Sequence, residues 1–330
     1  VSLAFDQFIK MYADAIGELK DVKKVPTKLL PLDYVTDGGI PVGRIVELYG
    51  DPGTGKTTTL ITITKRFLEE FPDKRVLYVD AESSFDASWA KKNGLDVEEM
   101  FAQKRLIIPM GLDSMDTAFS MVLDAVKTGE FSLIVLDSIS ALPVKEIYEE
   151  SDTESMVNFN RPGISAKKQT AFISILTPLL QKSETAFVFV NQQRANISPY
   201  GASTTQPGAY ALKHATTIRI ELSRKDFYPD RKDPQGIEIE YKCTKNKVGI
   251  AYRSERAYIL RTCGLDPVLS NINMAVQLGV IKRKGAYYYV GDQSYQGMTK
   301  LVEALRNDTE LYNKLVEQAI QVIKELKVHA

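Results

Sequence analysis

Gly50-Asp51-Pro52-Gly53-Thr54-Gly55-Lys56-Thr57 has the residue types and spacing of a phosphate cradle, G-x-x-x-x-G-K-T. The glycines let the backbone curl so that several N–H groups point at one phosphate, and a helix behind the loop adds its positive end. Lys56 can bridge the β- and γ-phosphates, and Thr57 can hold Mg2+ through its hydroxyl. Thr58 is counted with them on the nucleotide side. The flanks fit: residues 44–49 are a β-favouring run and residues 58–68 have the make-up of a helix. Strand, loop and helix is the setting that turns the pattern into a site. A nucleoside triphosphate is the expected ligand.

Ligands of an open parallel sheet lie at the carboxyl ends of its strands. Three further apolar runs end in a polar residue there. Leu133-Ile134-Val135-Leu136-Asp137 has the Walker B form, and its aspartate would hold the Mg2+ directly or through water. The run 75–80 leads into Asp80-Ala81-Glu82, which offers Glu82 as the general base that polarises an attacking water. The run 186–190 leads into Asn191-Gln192. The Gln192 amide can sense a γ-phosphate by hydrogen bonding and pass that on to the segment behind it.

That segment is free of acid. Residues 185–220 contain no Asp or Glu but do contain Arg194, Lys213 and Arg219. Within it, 196–207 is rich in Ser, Thr, Gly, Pro and Gln and reads as a long mobile loop. A second acid-free stretch, 155–183, carries Arg161, Lys167, Lys168 and Lys182 behind an acidic segment at 146–154. Polar, acid-free loops with a few cations suit a phosphate backbone. Lys245-Asn246-Lys247 closes a strand at a turn, and its two lysines point the same way if the chain is extended.

These residues need a scaffold. Strands alternating with helical stretches, most strands apolar throughout, predict an α/β fold with a mostly parallel sheet covered on both faces. Residues 5–19 predict an amphipathic helix, and the charged, proline-punctuated segment after it reads as a linker. Helices are expected over 115–127, over 171–180 despite Pro178, and later over 268–278 and 301–326. The runs 215–222, 237–243 and 257–262 predict antiparallel strands extending the sheet. The expected organisation is an N-terminal helix and linker (1–30), an ATPase core (31–263) and a small α+β unit (264–330).

Composition narrows the classes. Lys+Arg and Asp+Glu are both 42, so any nucleic-acid surface must come from local segregation of charge rather than net charge. Two cysteines, Cys243 and Cys263, do not make a disulfide framework, and two histidines exclude a histidine-rich metal site. No apolar run approaches membrane-spanning length, and the first residues lack signal-peptide order. A cytoplasmic, reducing setting is expected, with no membrane partner.

Taken together, Gly43 to Gly50 leading into the P-loop, Asp80-Ala81-Glu82 with Asp86, Leu136-Asp137-Ser138, Val190-Asn191-Gln192-Gln193-Arg194, Ala211-Leu212-Lys213 and Lys245-Asn246-Lys247 resemble the RecA-type homologous recombinases of bacteria and bacteriophages. The resemblance spans essentially the whole chain. It implies a DNA-dependent ATPase that forms a helical filament on single-stranded DNA with ATP and Mg2+, pairs it with homologous double-stranded DNA, and serves recombination and repair. It also implies roles. Glu82 matches the catalytic glutamate and Gln192 the glutamine that couples the γ-phosphate to DNA. Lys245 and Lys247 match lysines that reach a neighbour's ATP. Trp89 falls where an aromatic stacks on adenine, and Asp86 where a carboxylate meets the base. The first DNA loop would cover 146–160 and the second 193–210. Arg161, Lys167, Arg194, Asn196, Ser198, Gly208, Ala209 and Tyr210 are the candidate DNA contacts. The N-terminal helix would pack on the adjacent protomer, and the C-terminal unit, with Lys282-Arg283-Lys284, would help capture duplex.

There are departures. Tyr210 stands where the family has an asparagine, and His214 where it has a phenylalanine tied to allosteric signalling. Gln193 replaces a common aliphatic, and the acidic tail of many members is not seen after Lys327. Two other readings of the same core stand beside the recombinase. One is a hexameric RecA-fold DNA helicase, which would use an arginine finger and form rings. The other is a regulator that binds ATP without hydrolysing it and would not need Glu82.

Overall fold

The computed structural model describes residues 3–11, 21–145, 162–192, 194–196, 203–205 and 210–326. The chain enters with helix α1 (Leu3–Met11), on which Phe5, Phe8 and Met11 are exposed. The rest of the expected helix over 5–19 lies outside the described residues. Strand β1 (Lys24–Val25) then pairs antiparallel with β2 (Ile40–Pro41), and helix α2 (Leu30–Val35) lies between them in sequence. The segment read as a linker is therefore packed: Val25, Leu29 and Leu32 are buried in the main core. Asp33 folds it, accepting from the Thr27 amide and hydroxyl (both 2.7 Å) and the Lys28 amide (3.0 Å). Burial pushes the Asp33 carboxyl up to about 6 against those bonds. Pro31, read as a break, sits in the first turn of α2, where a missing N–H is harmless.

Next come β3 (Ile45–Gly50), α3 (Lys56–Glu70), β4 (Arg75–Asp80), α4 (Ala87–Lys92), α5 (Val97–Ala102), β5 (Leu106–Ile107), α6 (Met115–Thr128), β6 (Phe131–Asp137), α7 (Pro162–Ser183) and β7 (Ala186–Gln192). Helix α6 starts on the Ser114 hydroxyl, which accepts from the Thr117 amide at 3.3 Å, and ends on Gly129 at φ 71°. Helix α7 is longer than expected and runs straight through Pro178. Phe172, Ile173, Leu176 and Leu180 bury one face of it, while Pro178 lies on the exposed face, away from the packed side. Packing of the buried face holds the helix through a residue that local propensity alone would make a stop.

The expected structureless loop after Gln192 is corrected in part. β8 (Arg194–Asn196) pairs with β9 (Ser203–Thr205) as an antiparallel hairpin, and α8 (Tyr210–Ala215) comes after it. The β-branched Thr204 and Thr205 favour that extended pairing. Then β10 (Ile218–Tyr228), β11 (Gly236–Asn246), β12 (Ser254–Leu260) and β13 (Gly264–Leu265) run antiparallel to one another. One nine-stranded sheet results, in the order β13-β12-β11-β10-β3-β7-β6-β4-β5. From β10 to β5 its neighbours are parallel. One face, with Val46 and Leu48, packs on Leu60 and Phe67 of α3. The other, with Ile45, Phe187 and Phe189, packs on Phe119 of α6 and Phe172 of α7.

A third core forms from α9 (Pro267–Gln277), a small sheet of β14 (Lys282–Lys284), β15 (Tyr287–Val290) and β16 (Gln293–Gln296), α10 (Met298–Asn307) and α11 (Thr309–Leu326). The helix expected over 301–326 is two. Asp308 breaks it, donating its amide to the Ala304 carbonyl while its carboxylate accepts from the Leu311 amide (both 2.9 Å). Leu30 of α2 is buried in this third core, so the two packed bodies share the segment after β1. No helix among the described residues is long and apolar enough to cross a membrane.

Candidate functional site

The P-loop joins the end of β3 to the start of α3, in the middle of the sheet, between β10 and β7. Gly50 adopts φ 150°, and a Cβ there would fall 2.1 Å from the Leu222 carbonyl oxygen on β10. The first glycine is thus required by a neighbouring strand as much as by the curl of the loop. Gly50→Ala is expected to lower stability by roughly 1–3 kcal/mol, read as a shift in the urea midpoint. Gly55, at φ 85°, caps α3 in the left-handed region, and a Cβ on it would meet Ile259 Cδ1 at 2.3 Å.

Lys56 donates to the carbonyls of Gly50 (3.0 Å) and Asp51 (2.7 Å). Burial lowers its ammonium pKa, opposed by the charges of Asp137, Glu82 and Asp51. Thr54 is buried and ties the loop by donating to the Asp51 carbonyl at 2.9 Å. Thr57 donates to Asp137 Oδ2 at 2.9 Å, and Tyr78, wholly buried on β4, donates to the same oxygen at 3.2 Å. Burial pushes the Asp137 carboxyl up to about 6; the Thr57 and Tyr78 bonds oppose this, and the charges of Glu82 and Asp80 add to it.

Glu82 is set by the turn after β4. The Asp80 carboxylate accepts from the Ser84 amide (3.2 Å) and the Phe85 amide (2.8 Å), and the Ala81 and Glu82 amides donate to the Asp137 carbonyl (2.7 and 3.2 Å). The Glu82 carboxylate then accepts through Oε1 from Ser138 Oγ (2.6 Å) and Gln192 Nε2 (2.7 Å). Three strand ends are so joined: β4 through Glu82, β6 through Ser138 and β7 through Gln192. A cavity of about 350 Å³ is lined by Pro52, Gly53, Gly55, Lys56, Thr57, Thr58, Glu82, Asp137 and Gln192, with Ile237 and Ile259 as an apolar wall.

Not every expected nucleotide residue lines this cavity. Asp86 is the N-cap of α4, accepting from the Ser88 (2.7 Å) and Trp89 (3.0 Å) amides. Trp89 is half-buried and reaches the P-loop helix by donating from Nε1 to Thr58 Oγ1 at 3.1 Å. Lys245 and Lys247 are elsewhere. Lys245 donates to the carbonyls of Lys213 and His214, and Lys247 to His214, at the end of α8. The Lys245 ammonium is lowered to about 8 by burial and by the charges of Lys247 and Arg219, against the carboxylate of Glu47. Neither lysine lines the cavity of its own chain. Of the DNA candidates, Lys167 is exposed on α7, Arg194 and Asn196 are on β8, and Tyr210 opens α8. Arg161, Ser198, Gly208 and Ala209 lie outside the described residues.

Ser138, Tyr78, Ile237 and Ile259 are site residues that sequence reasoning missed. Ser138 stands in plain view after the Walker B aspartate. Tyr78 has no motif, because its role depends on β4 lying beside β6. Thr57 and Asp137 fit Mg2+: a hydroxyl and a carboxylate side by side are the hard oxygen donors it would take. Removing only the hydroxyl of Tyr78 (Tyr78→Phe) is expected to raise the Mg2+ concentration that half-saturates ATP hydrolysis by about tenfold. An unchanged Mg2+ titration would show that the hydroxyl does not orient Asp137.

A strand, a P-loop and a helix, with acids at the neighbouring parallel strand ends, define the P-loop nucleotide-binding class of α/β proteins. Comparison narrows the class. The model of the RecA N-terminal domain family matches residues 6–266. Protein RecA of Thermus aquaticus is 33% identical over 319 residues, covering 93% of this chain and 89% of that one. Protein RecA of Thermus thermophilus is 33% identical over 320 residues with the same shares, and that of Chloroherpeton thalassium is 29% identical over 337 residues, covering 99% and 90%. The chain belongs to the RecA family. It is an ATP-hydrolysing recombinase of DNA recombination and repair.

Proposed function

We propose that this protein polymerises on single-stranded DNA with ATP and Mg2+, hydrolyses the ATP between successive protomers, and pairs the bound strand with homologous duplex. The observation that carries this reading is the division of the charged groups. Lys56, Thr57, Glu82, Asp137 and Gln192 converge on one cavity, while Lys245 and Lys247 stand together away from it on the end of β11 and the turn after it. Two cations with no role at their own nucleotide are suited to a neighbour's, as arginine fingers are.

In this reading the P-loop amides and Lys56 bind the phosphates. Thr57 and Asp137 would hold Mg2+, which would supply positive charge beside the phosphates. Glu82 takes the proton of the attacking water. Gln192 leaves Glu82 for the γ-phosphate and shifts β8 with it, which begins two residues later. Arg161, Lys167, Arg194, Asn196, Ser198, Gly208, Ala209 and Tyr210 serve the DNA, and Trp89 and Asp86 the adenine side. The exposed apolar side chains of α1 suit packing on a neighbour, and Phe101, Ile107 and Met110 are exposed near the β5 edge of the sheet as a fitting seat. Lys282, Arg283 and Lys284, all exposed on β14, suit duplex capture, and the expected setting is the cytoplasm.

The test is the ATPase rate with and without single-stranded DNA, with electron microscopy of the same samples. Stimulation together with helical filaments is expected. A rate indifferent to DNA, or closed rings, would sink the reading.

A further inference from the structure

Strand β3 is the central strand of the sheet and is buried along its length, yet its third residue is a glutamate. Glu47 is 1% exposed. Its neighbours in β3 are Val46 and Leu48, which pack in the core under α3. Glu47 points to the opposite face with Ile45 and Tyr49. It accepts through Oε1 from Asn191 Nδ2 at 3.1 Å and pairs through Oε2 with Arg219 Nε at 2.5 Å. Arg219 is the direct register partner of Glu47 on β10, and its guanidinium also lies 4.7 Å from the centre of the Tyr49 ring. On its other side, Arg219 is the direct register partner of Lys245 on β11.

A buried ion pair is a poor way to stabilise a sheet. Desolvating both charges offsets most of their attraction, and well-packed apolar residues usually do as well. A carboxylate at this position therefore calls for another reason. The geometry supplies one: a row of side chains on one face, Asn191, Glu47, Arg219 and Lys245, crossing β7, β3, β10 and β11 in that order. Lys247 continues it, its amide donating to the Thr217 carbonyl at 2.9 Å just before β10.

We propose that Glu47 is a positioning residue for the cationic turn: its carboxylate, oriented by Asn191, anchors Arg219 so that Lys245 and Lys247 are presented to the neighbouring protomer's nucleotide. The inference rests on the trans-lysine reading given above. Without the Glu47 charge, Arg219 keeps its place beside the Tyr49 ring but loses the carboxylate that balances its charge, and two cations face each other across β10 and β11. Lys245 then has Lys247 on the turn after its own strand, Arg219 on β10 and the α8 carbonyls of Lys213 and His214 around it, without the Glu47 carboxylate that favours its charged form. The depressed ammonium of Lys245, which Glu47 opposes, agrees with that account.

Complementation in mixed filaments tests this. Glu47→Gln keeps the shape of the side chain and is expected to lower kcat for DNA-stimulated ATP hydrolysis by on the order of 10²-fold, with KM for ATP nearly unchanged. Glu82→Gln protomers are inactive for want of a base but carry sound lysines. Added in excess, they are expected to restore hydrolysis, because each Glu47→Gln protomer keeps a sound P-loop and now borrows lysines from its neighbour. A merely structural or cis role for Glu47 allows no such rescue. Lys247→Ala mixed with Glu82→Gln is the control. If that pair fails to recover, the trans-lysine reading itself falls. If it recovers while Glu47→Gln does not, or if Glu47→Gln alone has full kcat, the positioning role is overturned. Thermal melting identifies the folded variants. Should Glu47→Gln not fold, Arg219→Lys, which keeps the charge but loses the planar fork, is expected to show the same loss and the same rescue, and its failure to be rescued would equally overturn the proposal.

Discussion

Glu82→Gln is expected to slow DNA-stimulated ATP hydrolysis by a factor of about 10²–10⁴ while leaving ATP binding in place. The size comes from what the carboxylate does and what the amide cannot. Oε1 of Glu82 is taken up by Ser138 and Gln192, which hold the side chain at the mouth of the cavity. Oε2 remains to face a water. An amide oxygen in the variant can still accept both bonds, so the geometry is kept and only basicity is lost. In the proposed reading phosphate binding rests on Lys56 and the P-loop amides, which the change does not touch. The two halves are read separately, by a phosphate-release assay with and without single-stranded DNA and by titration with a fluorescent ATP analogue. A variant that still hydrolyses ATP within tenfold of the parent would remove Glu82 from the role of base. Gln192 makes the prediction sharper. Because it donates to the same oxygen, it restrains Glu82 until drawn away, and Gln192→Ala should weaken the difference between rates with and without DNA more than either rate's dependence on ATP.

Much of this site is legible in the sequence because its residues follow each other in motifs. Gly50 to Thr57 and Leu133 to Asp137 declare themselves, and the apolar runs of β4, β6 and β7 place Glu82, Asp137 and Gln192 at strand ends. The hidden part depends on contacts between distant segments. Ile237 and Ile259 form the apolar wall because β11 and β12 extend the sheet past the P-loop, and nothing local marks them. Tyr78 orients Asp137 only because β4 and β6 are neighbours. Glu47 looks like an ordinary polar residue of a strand until Asn191 and Arg219 are seen on either side of it. The fold misreadings come from cruder local signals giving way to packing and to specific caps. Proline argues against α2, yet Pro31 falls in a first turn; the helix expected over 171–180 despite Pro178 is present, with Pro178 on a solvent face. Conversely, the apolar periodicity over 301–326 is nearly continuous, and the cap supplied by Asp308 turns one helix into two.

Lys247→Ala is expected to abolish DNA-stimulated ATP hydrolysis and leave the fold as it is. Trans-acting cations at a phosphoryl group are worth about 10³–10⁵ in rate, because charge develops on the transferring oxygens with little else to stabilise it. The cost to the fold is small. Lys247 is exposed, and its ammonium donates to a single carbonyl, that of His214, at a helix end open to water. Surface changes of this kind usually move stability by about 0.5 kcal/mol or less. Unchanged thermal melting with lost hydrolysis would therefore separate chemistry from folding. The same contact bears on control. In the single chain, Lys245 and Lys247 are held on the carbonyls that end α8, and α8 comes directly after the segment assigned to DNA. For the lysines to reach a neighbour's phosphates, those bonds must break, and movement of α8 when DNA orders that segment is the natural way to break them. A lysine-dependent rate should then require DNA and a neighbour together. Dilution below the concentration that sustains filaments is expected to remove DNA stimulation from the parent protein and to leave Lys247→Ala unaffected. Activity of the diluted parent that stays stimulated by DNA would place the lysines in the service of their own nucleotide, against the separation seen between them and the P-loop cavity.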